Sequence, residues 1–276
     1  SSGHVQPPRD RPLARAAPVQ ERPPRPGPPV ASPLTRRLQW HAGNPAGTSA
    51  PPSRQRRGGR RRPRFSGPCQ NGAVNYLAHL YLAAPDPEAM LGALLGDFVF
   101  GSAGLAAYSP VEQREILVHR RIDRYTDDHP QVVQARSLFE PGLRRYAGIV
   151  LDVYFDHLLA RDWAHHTDEP LEAFTARFYG HLLAQRSRLP ARLQAIAPRI
   201  AAHDWLGSYR RRESVDLAVS RIATRLSRNG ERLVACLHGL RRHEADIAAG
   251  FEAFFPQLQA YVPLARAAVA EAVPQD

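Results

Sequence analysis

From residue 74 onward, apolar positions recur with the period of an α-helix, in segments separated by Gly, Pro, Ser and Asp. The stretch "PEAMLGALLGDFVFG" (87–101) is apolar on most sides and closes at glycine, which predicts a buried helix. Ser109, Pro110 and Glu112 have the order of a capping box with proline at the first helical position, opening a helix to about Thr126. Asp128 with Pro130 predicts the start of a short helix, and "PGLRRYAGIVLDVYFDHLLARDW" (141–163) a long one. Further helices are expected near 170–187, 190–203, 213–228 and 231–255, with a last one after Pro256. Strand-like alternation and internal repeats are both missing from the pattern. The expectation is an all-α fold, one compact helical domain over 74–276.

Composition changes the picture only for the preceding stretch. Residues 1–73 hold 15 of the 26 prolines and the run "RQRRGGRRRPR" (54–64). Such a segment buries too little apolar surface to offset its ordering entropy, so disorder is expected. It carries 14 arginines against two acids, a net of +12, whereas residues 74–276 carry 23 arginines against 24 acids, a net of −1. The basic balance of the whole chain therefore belongs to the extension. Contact with nucleic acid or an anionic membrane is expected only there. The alternative is that 1–73 is not part of the working protein and Val74 is its first residue. All 37 basic residues are arginine, which reads as a GC-rich coding sequence rather than a demand of the fold. Cys69 and Cys236 offer neither a disulfide framework nor a CxxC metal site. Neither a membrane-spanning apolar run nor the core of a secretion signal is present, so a cytoplasmic protein is expected.

Candidate chemistry begins in the 141–163 helix. Ile149, Val150, Leu151, Val153, Tyr154, Phe155, Leu158 and Leu159 cover almost its whole circumference, as in a helix buried on all sides. Yet it carries Asp152, Asp156 and His157, and an unpaired buried carboxylate is too costly to persist. These groups should be tied to arginines, bound to a metal, or lining a polar cleft. In "HRRIDRYTD" (119–127), His119, Asp123 and Asp127 are spaced four apart, with His119 at the border of the apolar stripe and Asp123 a little further round. A merely structural histidine and a solvated Asp127 remain open at this point. Asp97 adds a lone acid within "LLGDFVFG".

Three apolar helices each bring Asp or His inward. Oxygen ligands with one or two imidazoles suit Mg²⁺ or Mn²⁺ and also accept Fe or Zn. Nearby arginines suit a phosphoryl substrate, because the guanidinium fork matches phosphate oxygens. No P-loop, dinucleotide-binding glycine pattern, GxSxG elbow or Glu-x-x-His occurs. His203–Asp204 lies near an expected helix end and reads as a cap.

These residues make the domain resemble the acyl carrier protein phosphodiesterase family, an all-helical group related to HD-type metal phosphohydrolases. The matching pieces are "NYLAHLYLA" (75–83), "LLGDFVFG" (94–101), "HRRIDRYTD" (119–127), "LDVYFDHLLARDW" (151–163) and, more weakly, "WLGSYR" (205–210). The resemblance implies an HD-like fold and hydrolysis of the phosphodiester joining 4′-phosphopantetheine to the serine of holo-acyl carrier protein, with Mn²⁺ or Mg²⁺. By position Asp97, His119, Asp123, Asp152, Asp156 and His157 match the family's acidic and histidine motif residues, and the expectation is that Asp97, Asp156 and His157 hold the metal, with Asp152 as ligand or partner to one. His119, oriented by Asp123, would bind the metal or protonate the departing serine oxygen. Arg120 and Arg121 would steady the phosphate or meet the acidic carrier protein, and His79 matches a further histidine placed with the substrate-binding set. The order Asp156–His157 is the reverse of the HD signature, so individual ligand roles do not transfer. Two rivals are an HD-type hydrolase of nucleotides or small phosphodiesters and a non-catalytic helical module whose arginine tail binds nucleic acid.

Overall fold

A computed structural model describes residues 76–102 and 104–272. The basic extension 1–73 and its expected disorder lie outside the described residues. Among the described residues there are eleven α-helices and no strand. They are α1 (Tyr76–Ala83), α2 (Pro87–Leu95), α3 (Pro110–Asp128), α4 (Pro130–Ser137), α5 (Arg144–Arg161), α6 (Leu171–Ala184), α7 (Ala191–Ala202), α8 (Trp205–Ser208), α9 (Glu213–Ala223), α10 (Gly230–Arg242) and α11 (Glu244–Ala272).

Local chemistry explains most of the boundaries. Asp86 caps α2 by accepting from the Glu88 amide at 2.9 Å, and Pro87 occupies the first turn, where its missing N–H costs nothing. The capping box at the head of α3 forms in both directions, Ser109 Oγ accepting from the Glu112 amide and Glu112 accepting from the Ser109 amide. α5 is the central helix, with Val150, Val153 and Leu159 fully buried. α1 and α2 pack against each other, α2 lies on α3, α1 on α5, and α11 runs along α3 and α4. Gly92 makes the α2–α3 approach possible: a Cβ there would stand 2.8 Å from the Glu112 backbone. Two buried acids bolt α3 to distant segments. Glu115 receives Arg266 of α11 at 3.1 and 3.2 Å, and Glu112 receives both Nη atoms of Arg188.

Four expectations are corrected. The helix of 87–101 stops at Leu95, so Asp97 sits in the turn beyond it rather than inside it. His129, not Asp128, caps α4, its Nδ1 accepting from the Gln131 amide at 3.3 Å, and α3 runs on through Asp128. The segment 231–255 is broken at His243, and α11 passes through both Pro256 and Pro263. Each proline removes one helical N–H, but the buried stripe Ile247, Phe251, Phe254, Phe255, Leu258, Val262 and Ala265 holds the helix together across them. Finally, a single helical turn, α8, stands between the expected helices of 190–203 and 213–228. Asp204 caps it from a left-handed conformation, φ 42°, accepting from the Gly207 amide at 3.1 Å and from the Tyr179 hydroxyl at 3.0 Å. The cap role expected for His203–Asp204 is what Asp204 performs. No helix of the described residues is long and apolar enough to cross a membrane.

Candidate metal centre

Four side chains from three parts of the chain meet beside α5. α1 is anchored by Asp156, whose two oxygens accept from the Leu77 and Ala78 amides at 2.9 Å each. Two of the unpaired N–H groups at the start of that helix are thereby satisfied by a carboxylate at the positive end of its dipole. The next residue is His79, which points inward and is 2 % exposed. α3 contributes His119 and, one turn later, Asp123. The turn after α2 contributes Asp97. Gly96 lets the His119 ring lie against the backbone, since a Cβ would fall 2.3–2.7 Å from three ring atoms.

Asp123 joins the two histidines. Its Oδ1 is 3.0 Å from His79 Nε2 and its Oδ2 is 3.2 Å from His119 Nε2, while Asp97 Oδ1 is 3.6 Å from His119 Nε2. The imidazoles stack, with centroids 3.8 Å apart and planes at 21°. One potential ligand atom from each of His79, His119 and Asp123 lies within 4.8 Å of the others. Asp123 is 37 % exposed while His119 is 2 % and Asp97 7 %, so the cluster opens to solvent at Asp123. His79 Nδ1, His119 Nδ1 and Asp97 Oδ2 are buried without a hydrogen-bond partner. Buried polar atoms are almost always satisfied. Three unsatisfied ones around two imidazoles and two carboxylates are the donor set a divalent cation would complete, so the residues present fit such an ion.

Charge sharpens that reading. Burial, and then His119, lower the pKa of His79. Burial would lower His119 as well, but Asp123 and Asp97 outweigh it and raise it to about 10, so a bound cation would have to displace the proton those carboxylates favour. Asp123 resists the upward push of its own burial because His119 and His79 stabilise its anion, keeping it far below the usual carboxylate range. Asp152, partly exposed on α5, is pushed well up by burial and then by Asp127, Asp123, Asp97 and Asp156. Asp127 is raised to about 6 by burial, against Arg136 and with help from Asp123. Five aspartates therefore crowd one region, and their mutual repulsion is what a dication relieves.

The expected ligand set is redistributed. Asp97, His119 and Asp123 come together, and Asp152 joins their field. Asp156 is spent on capping α1: it is fully buried with both oxygens taken. His157 is not brought to the cluster. Its Nδ1 donates to the Tyr209 carbonyl at 2.7 Å, and it lies in the field of Arg161, Arg212 and Glu244. Arg120 braces the turn by donating to the Val99 carbonyl at 2.9 Å, and Arg121 is partly exposed next to it on α3. His79, expected as a substrate contact, stands among the candidate ligands. The signal for it was present, since it is a lone imidazole in the apolar run "YLAHLYLA". The rule applied to Asp156 would have caught it.

Fold and site together define an all-helical protein with a buried two-histidine, carboxylate-ringed centre of a kind that fits a divalent cation. The acyl carrier protein phosphodiesterase family model matches residues 74–258. The chain is 34% identical over 186 residues to the acyl carrier protein phosphodiesterase of Serratia proteamaculans, covering 67% of this chain and 95% of that one. Similar matches join it to the proteins of that name from Salmonella dublin (34% over 195 residues; 68% and 96%) and Yersinia enterocolitica (33% over 186 residues; 67% and 95%). No solved structure matches. The chain belongs to the acyl carrier protein phosphodiesterase family, a family of phosphodiesterases.

Proposed function

We propose that this protein removes the 4′-phosphopantetheine arm from holo-acyl carrier protein by hydrolysing the phosphodiester to the carrier's serine, in a metal-dependent reaction. The observation that carries the metal dependence is the convergence of His79, His119 and Asp123, together with buried polar atoms of His79, His119 and Asp97 that have no hydrogen-bond partner. The substrate reading is supported by the family and by the names of the relatives. His79, His119 and Asp123 would hold the ion, with Asp97 orienting His119 and Asp152 lending further negative charge. Two imidazoles shift this donor set from Mg²⁺, which prefers oxygen, toward Mn²⁺. When bound, such a cation lowers the pKa of a coordinated water and offsets charge that develops on phosphoryl oxygens.

The chain's own residues supply the rest. Asp123 keeps both rings in register and leaves one face of the cluster open, which is where a phosphodiester on a bulky protein can arrive. Asp156 and Gly96 hold His79 and His119 in place without meeting the substrate. Arg120 fixes the turn that carries Asp97. The working unit is proposed to be residues 74–276, acting in the cytoplasm.

The test is mass spectrometry of holo-carrier protein after incubation with the full chain and Mn²⁺. Loss of the phosphopantetheine mass, blocked by chelation and by His119→Ala, is expected. A carrier that keeps its arm at saturating Mn²⁺ would refute the reading.

A further inference from the structure

A cleft of about 280 Å³ lies between α7, α8 and α9, and the reaction proposed above leaves it unused. Its floor includes Tyr76 and the buried Tyr209, and its rim carries Arg192, Arg211, Arg221 and Arg225, all exposed. Leu217, 50 % exposed, and Arg221 are four apart on α9 and share one side of it, and Arg225, in the turn just beyond the helix, lines the same cleft.

The surrounding charges show that this rim is not ordinary surface. In the triplet 210–212, Arg210 pairs with Glu172, and Arg212 with Asp216 and Glu244. Arg241 also turns to Asp216. Among the described residues no acidic side chain pairs with Arg211, Arg221 or Arg225. Residues 74–276 are nearly neutral overall, so three uncompensated guanidiniums around one concavity are a local feature with a sign.

The cleft is also physically joined to the metal centre. Tyr76 is the first residue of α1, three before His79. Its ring stacks on Phe98 at 6.3 Å, next to Asp97. It lies in the field of Asp97 and Asp156 and also of Arg192 and Arg225, which line the cleft with it.

We infer that this cleft is the docking surface for the acidic protein that presents the phosphodiester, with Arg211, Arg221 and Arg225 meeting its carboxylates and Leu217 with Trp205 meeting an apolar patch among them. The partner is a folded acidic face rather than a small anion. The guanidiniums come from three separate positions and stay exposed, which suits spread charge and fast, salt-sensitive encounter. The inference rests on the proposed reaction for the identity of that partner.

The test uses the full chain, wild type and the double variant Arg221→Glu/Arg225→Glu, with Arg242→Glu, exposed on α10 and outside the cleft lining, as a charge control. For holo-carrier protein the double variant should raise KM by roughly tenfold or more with kcat unchanged. The wild-type KM should climb with salt, and the variant's should not. Turnover of bis(p-nitrophenyl) phosphate should be the same in all three. Titration with apo-carrier protein, followed by tryptophan fluorescence, reads docking without chemistry and should show the same loss. A double variant with wild-type KM and wild-type salt response overturns the docking surface and leaves the hydrolysis intact. Salt-sensitive binding of apo-carrier protein that disappears in the double variant, in a protein that never cleaves the arm, upholds the surface and removes the proposed reaction.

Discussion

Replacing Gly96 by alanine places a methyl carbon against the imidazole of His119, 2.3 Å from Cγ, 2.4 Å from Cδ2 and 2.7 Å from Nδ1. The backbone itself has no objection, because Gly96 is helical at φ −49° and ψ −36°. Ordinary contact needs about 3.4 Å or more, so the ring or the turn must move by roughly 1 Å. The ring has little room to yield, with His79 stacked 3.8 Å away and Asp123 and Asp97 around its Nε2. Overpacking of this kind costs about 1–3 kcal/mol, and a 1 Å displacement of a positioned group can cost on the order of a hundredfold in rate. Gly96→Ala should therefore fold with a modestly lowered Tm, bind Mn²⁺ about 10–100-fold more weakly, in the range seen when support of a metal ligand is disturbed, and lose activity on holo-carrier protein in proportion. The control is Gly180→Ala, exposed on α6 with nothing within 4 Å of the added carbon, which should gain about 0.5–1 kcal/mol and keep Mn²⁺ affinity. Isothermal titration with Mn²⁺ and thermal melts on both variants decide the matter. If Gly96→Ala binds Mn²⁺ as tightly as wild type, the argument that His119 is a ligand held by this contact is refuted.

His79→Gln should abolish Mn²⁺ binding while His157→Gln leaves it unchanged, a pair of titrations that separates the centre described here from one built on Asp156–His157. Asp156→Asn should cost about 1–3 kcal/mol in urea melts, because the amide group turns a donor toward one of the Leu77 and Ala78 N–H groups, and Mn²⁺ affinity should fall as α1 loosens. Arg188→Ala leaves the Glu112 carboxylate, 0 % exposed, with only its capping contact, and should destabilise by about 2–3 kcal/mol, below the full cost of a wholly buried pair because Arg188 is 37 % exposed. Burial would raise the Glu112 pKa, but Arg188 and the Ser109 amide outweigh it and hold the group below the usual glutamate range. Its contribution is therefore complete above the ordinary glutamate pKa and lost as pH falls through the lower folded value. The gap between wild type and Arg188→Ala should shrink over that acidic window, and a gap that stays constant down to full protonation would contradict the pairing.

The helical character, the two-way cap at Ser109 and Glu112, the buried status of the 141–163 segment and the presence of ionisable groups inside it were all legible in the residues. Each depends on neighbours within a turn or two, and periodicity reports on such neighbours directly. Pro256 misled because a rule about local hydrogen bonding was applied where a buried apolar stripe decides. Asp156 shows the same division within one residue. That it must be paired follows from burial alone, but its partners are amides 79 and 78 positions away.

Which acids and histidines share a site belonged to the tertiary structure. Asp156 and His157 are adjacent in sequence yet face opposite chemistry, an amide pair for one and a carbonyl among arginines for the other, because successive residues on a helix point about 100° apart. His79 and His119 are forty positions apart and stack ring on ring. A helix period assigns a side chain to a direction; only the packing of α1 on α5 and of α2 on α1 and α3, the latter permitted by Gly92 and Gly96, determines what it meets there.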